Sequence, residues 1–267
     1  MTTTDLDLAA YFQRIDYTGD TDPRLPVLEA LHRHHAMTIP FENLDVLVDK
    51  PISLDLADLQ AKLVRSRRGG YCFEQNLLFA AVLERLGFDV TRLAARVLYR
   101  GPQPRPRTHM LMRVRIDGDD FIADVGFGGE GLLLPIRLLA DHRTQHHAWS
   151  YRVRRAASDE WVLQSCWAED WQDLYSFNLV AQLPVDFEPA NHYVSTHPQS
   201  RFRQTLTAQR VTPETRYVLR DRELIIDHGP DQRDSRMLRG ESEILDVLRD
   251  TFGIEVPVGF RVPVFVA

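Results

Sequence analysis

Two cysteines, two lysines and no apolar run long enough to cross a bilayer set the first limits on this 267-residue chain. Cys72 and Cys166 stand far apart, too few for a disulfide scaffold and too few for a Cys₄ or Cys₂His₂ zinc site. In a reducing compartment both thiols are expected free. Lysine is confined to Lys50 and Lys62, neither in an evident site context, which argues against Schiff-base chemistry. Basic residues number 32 against 38 acidic ones, so the net charge of −6 leaves no footprint for nucleic acid. The opening Met1-Thr-Thr-Thr-Asp-Leu-Asp-Leu has no basic segment followed by an apolar one. No secretory signal is expected from it, and the expected address is the cytoplasm.

What is present is ordinary globular material. Hydrophobic residues make up 44% and charged residues 26%, and the length allows one large domain or two to three small ones. Apolar residues recur at helical spacing over Leu8–Ile15, Leu25–His35, Leu54–Val64 and Cys72–Leu86, with Gly87 as a C-terminal cap. From Phe88 the pattern shortens. Val90–Tyr99, Thr108–Ile116 and Phe121–Val125 read as strands, the last two joined through Asp117-Gly118-Asp119 as a hairpin. Pro102, Pro104 and Pro106 make the segment before Thr108 a loop. Trp149–Arg154, Trp161–Trp167 and Leu174–Asn178 add strands, and the even spacing predicts a closed or strongly curved sheet. Toward the C-terminus, Pro184–Ser195 begins as a helix, Thr205–Val211, Tyr217–Leu219 and Leu224–Asp227 are strands, and Ser242–Phe252 is an amphipathic helix. The apolar tail from Val256 holds two prolines and is expected to lie extended against the body.

The chemistry concentrates in Arg67-Arg68-Gly69-Gly70-Tyr71-Cys72-Phe73-Glu74-Gln75-Asn76. A cysteine in the first turn of a helix meets unpaired backbone N–H groups and the positive end of the helix dipole, which favours its thiolate. A nucleophilic thiolate needs a base, and the base needs an orienting group. His109 starts one strand of the predicted hairpin and Asp124 ends the other, so the two can meet. Next comes Val125-Gly126-Phe127-Gly128-Gly129-Glu130-Gly131, whose glycines expose backbone N–H groups of the kind that bind anions but do not follow the dinucleotide or P-loop spacing. His32-Arg33-His34-His35 and His146-His147 lack the partners of a metal site, and no metal is expected. Cysteine, histidine and aspartate in this order also suit papain-like or transglutaminase-like amide chemistry, and a ligand-binding protein with an inert cysteine is the non-enzymatic alternative.

The stretch Arg68 to Asn76, with Pro40-Phe41-Glu42-Asn43-Leu44 before it and His109 and Asp124-Val125-Gly126-Phe127-Gly128 after it, resembles the arylamine N-acetyltransferases, in their bacterial form. The likeness runs from Tyr11-Phe12 and Arg14-Ile15 to Asn191-His192-Tyr193-Val194-Ser195-Thr196-His197-Pro198. It implies an α+β fold with a cysteine-protease or transglutaminase-like core: an N-terminal helical bundle over 1–87, a central β-barrel over 88–190 and a C-terminal α/β lid over 191–267. It implies a triad of Cys72 as nucleophile, His109 as base and Asp124 as orienter. Acetyl-CoA would be the acyl donor, near Thr108, Gly126, Phe127, Gly128 and Gly129. A small aromatic amine or hydrazine would be the acceptor, in a pocket lined by Phe41, Tyr71, Val97, Phe127 and Phe202. Arg68 and Glu42 would form a supporting ion pair. Amide synthases that close macrolactams from a carrier-bound acyl chain share the resemblance.

Overall fold

The computed structural model describes residues 6–99, 105–157, 159–229, 231–257 and 260–262. Pro102, Pro104 and most of the tail after Pro257 therefore lie outside the described residues. In chain order, helices α1 (Leu8–Arg14) and α2 (Leu25–Thr38) are followed by a short strand β1 (Phe41–Glu42), then α3 (Leu44–Leu47), α4 (Leu56–Leu59) and α5 (Cys72–Arg85). The predicted helix over Leu54–Val64 is instead α4 plus a widened turn over Gln60–Arg65, where Ser66 N–H reaches back to the Ala61 carbonyl and Arg14 Nε donates to the Leu63 carbonyl. A buried side chain that claims a helix carbonyl is one physical route to such a break. α5 is apolar on nearly every side and almost wholly buried, its core including Phe73, Leu78, Phe79, Val82 and Leu83. Helix ends here follow local rules. Glu74 accepts from the Tyr71 N–H at the start of α5, and Gly87 takes φ +87° just past its end.

The middle of the chain is β2 (Asp89–Val97), β3 (His109–Ile116), β4 (Asp119–Ala123), β5 (Ile136–Arg137), β6 (Thr144–His146), β7 (Trp149–Ala157), β8 (Glu160–Trp167) and β9 (Asp170–Phe177). They form one antiparallel sheet in the order β5-β4-β3-β2-β9-β8-β7-β6. The predicted hairpin is present. Ile116 pairs with Asp119 across a two-residue loop in which Asp117 and Gly118 both have positive φ. The sheet curls nearly shut, because the chain beyond β5 returns to the far side: Ala140 bridges Val153, and Asp141 N–H donates to the Val153 carbonyl. Leu93, Leu111, Ile122, Tyr151, Leu163 and Leu174 fill the space it encloses.

The last part is α6 (Glu188–Thr196), α7 (Arg201–Gln204), β10 (Thr207–Val211), β11 (Arg216–Arg220), β12 (Glu223–Asp227), β13 (Arg233–Met237) and α8 (Glu241–Asp250). Helix runs to Thr196, one residue beyond the segment expected to be helical only at its start. β1 joins β10 to β13 in a second antiparallel sheet. One face of that sheet, with Ala208, Leu219 and Leu224, packs on Ile244, Val247 and Leu248 of α8. The alternate residues Thr207, Gln209, Val218, Arg220, Ile225 and Asp227 point the other way and wall a cleft. No described helix is long and apolar enough to cross a membrane.

Candidate active site

Cys72 opens α5 directly after Gly69-Gly70, and the chain around these glycines is clamped. Glu42 N–H donates to the Gly70 carbonyl at 3.2 Å and Gly70 N–H donates to the Pro40 carbonyl at 3.3 Å. A Cβ on Gly69 would run into the Pro40 carbonyl. Arg68 anchors the same segment from beneath, 2.7 Å from Glu42 and 3.1 Å from Asp45, all three buried. The Arg68–Glu42 pair expected beside the site is thus present, and Asp45 extends it.

His109 begins β3, and its Nε2 lies 2.7 Å from Asp124 Oδ2 just past the end of β4. The register pairs Met112 with Ala123, so one further step sets Asp124 beside Leu111, on the face that His109 shares. Cys72 is near enough to be the second group that raises the imidazole pKa, and its Sγ lies 3.6 Å from the carbonyl of Thr108, the residue just before His109. The three predicted side chains therefore form one continuous line. Asp124 and His109 are buried, Cys72 is 4% exposed, and Cys72 and His109 line the cleft.

The electrostatics follow from burial opposed by pairing. Burial alone would pull the His109 pKa down, but the Asp124 carboxylate and then Cys72 outweigh it and push it up to about 10. Burial pushes Asp124 the other way, yet His109, the Asn76 amide and the Gly126 N–H hold its carboxyl below the ordinary value. At neutral pH the pair is an imidazolium and a carboxylate.

Several supports of this line were not singled out from sequence. Asn76 donates through Nδ2 to Asp124 Oδ1 at 2.9 Å and to the Met110 carbonyl at 2.7 Å, and its Oδ1 accepts from the Val125 N–H. His32, read in sequence only as a rejected metal ligand, accepts the Asp124 N–H through Nε2 at 3.1 Å while its Nδ1 bonds the Leu133 carbonyl. Burial lowers its pKa to about 4, so it is neutral. Tyr175 packs on His109 and Phe127, with ring centroids 4.9 and 5.1 Å away. Burial first, and the nearby Asp124 charge second, push its phenol upward. The Asn76 contact alone carried a signal, an amide one helical turn beyond the cysteine. Among the described residues no cluster of His, Cys, Asp and Glu could hold a metal ion.

The cleft has a volume of about 280 Å³. Phe41, Val97, Thr108, Gly126, Phe127 and Phe202 line it. Tyr71 does not reach the lining. It is buried behind Phe202, with ring centroids 5.7 Å apart and its hydroxyl donating to Asn191 Oδ1. Gly128 and Gly129 are also off the lining, packed against Gln209 and Val218 of the sheet wall. Three amides of the glycine loop are engaged internally: Gly126 N–H with Asp124 Oδ1, Gly129 N–H with Gln209 Oε1, and Gly131 N–H with the Gly128 carbonyl. Close approach explains the glycine at 126, where a Cβ would sit 2.8 Å from Cys72 Cα and from Asn76 Nδ2.

Residues 24–260 match the family profile described as N-acetyltransferase. The arylamine N-acetyltransferase of Mycobacterium tuberculosis is 42% identical over 260 residues, covering 94% of this chain and 90% of that protein. The Escherichia coli arylamine N-acetyltransferase is 45% identical over 206 residues, covering 76% and 73%. A solved structure of the Mycobacterium marinum arylamine N-acetyltransferase in complex with CoA superimposes with a TM-score of 0.88 at 39% identity, over 93% of each chain. With matches of this extent, the chain belongs to the arylamine N-acetyltransferase family of acyltransferases.

Proposed function

We propose that the protein transfers the acetyl group of acetyl-CoA to the nitrogen of an arylamine, arylhydrazine or hydrazide by double displacement, through an acetyl thioester on Cys72. The observation that carries this reading is the line Cys72–His109–Asp124, which ends in a cleft walled by aromatic rings. With His109 an imidazolium, Cys72 has a cationic partner for its thiolate. The thiolate attacks the thioester carbonyl carbon, the bond to the CoA sulfur breaks, and the leaving thiolate takes the His109 proton. The backbone N–H of Cys72, at the first position of α5, has no intrahelical acceptor and can face the oxyanion. His109 is then neutral and Nε2-anchored. It accepts a proton from the attacking amine as the new C–N bond forms and the Cys72 thiolate is released.

Phe41, Val97, Phe127 and Phe202 would hold the acceptor ring, with Tyr71 fixing Phe202 from behind. Thr108 and the Gly126–Gly129 loop would lie along the donor. An aromatic amine suits this cleft because it is largely neutral at pH 7 and so keeps its nucleophilic lone pair. In this reading the helices over 1–87 supply the nucleophile, the barrel over 88–190 the histidine and aspartate, and 191–267 the lid, in a cytoplasmic enzyme that uses no metal.

The test is intact mass after incubation with acetyl-CoA and no amine, for the wild type and Cys72→Ala. One added acetyl on the wild type alone, discharged by an arylamine or hydrazine, is the expected result. No acetyl gain on a protein whose thiol still reacts would overturn the reading.

A further inference from the structure

The sheet wall of the cleft carries charge that the triad does not use. Four arginines line the cleft, Arg105, Arg201, Arg220 and Arg233, beside two carboxylates, Glu130 and Asp227. Both carboxylates are already paired. Glu130 Oε2 accepts from Arg216 Nη1 at 3.0 Å and from Trp167 Nε1 at 3.1 Å, while Asp227 accepts from Arg233. Arg201 and Arg220 make no ion pair among the described residues, yet they stand close enough that the charge of Arg220, after burial, lowers the pKa of Arg201. Asp221 lies near both without pairing to either, and its Oδ1 takes the Leu206 N–H. Glu223 faces Arg220 across the strand pair, also without an ion pair.

Their backbone positions are fixed by regular structure. Arg220 stands two residues beyond Val218 on β11, about 7 Å along the strand, and its side chain shares the Val218 face. Val218 is the residue that Gly129 packs against. Arg201 immediately precedes Phe202, which lines the same cleft. Two like charges lining the same concave, partly desolvated cleft cost free energy unless an anion joins them. Together they offer ten N–H donors in planar forks, the geometry that matches phosphate oxygens.

We propose that Arg201 and Arg220 form the seat for the phosphate groups of the CoA thioester, and so set the preference for CoA over donors that lack phosphate. This rests on the acetyl-transfer reading above. A polyanion is the better match than a carboxylate on the acceptor, because a single carboxylate would leave one of the two guanidiniums uncompensated.

The test compares two donors within each protein: acetyl-CoA, and S-acetylpantetheine, which has the same thioester arm and no phosphate. The ratio of their kcat/KM values is measured for wild type, Arg201→Gln, Arg220→Gln and the double variant, at two salt concentrations. The expected result is a fall in that ratio of about tenfold for each guanidinium removed, the scale of a charge-assisted hydrogen bond. The loss should appear in KM for acetyl-CoA, and the salt dependence of that KM should flatten in the double variant. An unchanged ratio, or equal loss with both donors, overturns the proposal. A loss that instead follows a carboxylated arylamine relative to a neutral one overturns it in favour of an acceptor seat. Absence of turnover with either donor in the wild type would sink the acetyl-transfer reading itself, which separates the two failures.

Discussion

Asn76 stands one helical turn beyond Cys72 on α5 and donates to Asp124 Oδ1 at 2.9 Å. One helix therefore presents the nucleophile and also ties down the carboxylate at the opposite end of the Cys72–His109–Asp124 line. Since the Asn76 carboxamide also bonds Met110 and Val125, it couples the helix to both strands that carry the histidine and the aspartate. Displacing that helix would shift all three groups together.

Replacing Asn76 by Ala is expected to leave the Met110 carbonyl and the Val125 N–H buried without those partners. Each such group costs about 1–3 kcal/mol. The melting temperature should fall by roughly 2–4 °C for each kcal/mol lost. Thermal melting beside single-turnover acetylation checks this. A melt equal to the wild type would show that the carboxamide contacts are not made in solution.

Asp124→Asn should act on His109 through charge. Without the carboxylate, burial dominates and the imidazole pKa falls, so at neutral pH the ring no longer carries the proton that opposes a thiolate. Acetyl transfer should drop on the order of 10²- to 10⁴-fold, the usual range for a lost acid–base partner. A folded Asp124→Asn protein with near-normal turnover would remove Asp124 from the line.

His32 separates a local hydrogen-bonding role from simple packing. Gln at this position can both accept the Asp124 N–H and donate to the Leu133 carbonyl, whereas Leu can do neither. His32→Leu should lose about 1–3 kcal/mol of stability and show impaired acetylation. His32→Gln should recover much of both. Equal behaviour of the two variants would reduce His32 to a space-filler against Phe79, whose ring it meets edge-on at 5.8 Å.

What was legible in the sequence follows from how local each signal is. The helix start at Cys72 and the Asp117-Gly118 hairpin are set within a few residues, so the meeting of His109 and Asp124 could be read from turn chemistry, while the place of Cys72 beside them came with the family resemblance. The supports of that line come from distant segments, and neither His32 nor Tyr175 has any local feature that names its partner. Strand β1 has two residues, and β13 is exposed along its whole length with no alternation to reveal it. The glycine loop misled in a different way. Gly126, Gly129 and Gly131 read as open amides, but those N–H groups are already bonded to a carboxylate, an amide and a carbonyl.

Stability should peak close to pH 6.5, because buried histidines pull in opposite directions on either side of it. His32, His35 and His146 have pKa values lowered by burial to about 4, 3 and 3. As pH falls below their unfolded value of about 6.5, the unfolded chain takes up protons that the native state refuses. Each then costs about 1.4 kcal/mol per pH unit until its native pKa is reached. His109 behaves inversely. Its pKa of about 10 lies above the unfolded value, so the native state keeps a proton that the unfolded chain gives up as pH rises from 6.5 toward 10. The stabilisation it supplies is complete below 6.5 and is lost through that window. Urea melts from pH 4.5 to 9 should thus give a dome with a steep acid limb and a shallower alkaline one. Asp124→Asn should flatten the alkaline limb, and His146→Gln should soften the acid limb. An alkaline limb unchanged by Asp124→Asn would mean that the His109–Asp124 pair does not hold a proton in the folded protein, and the imidazolium on which acetyl transfer depends would go with it.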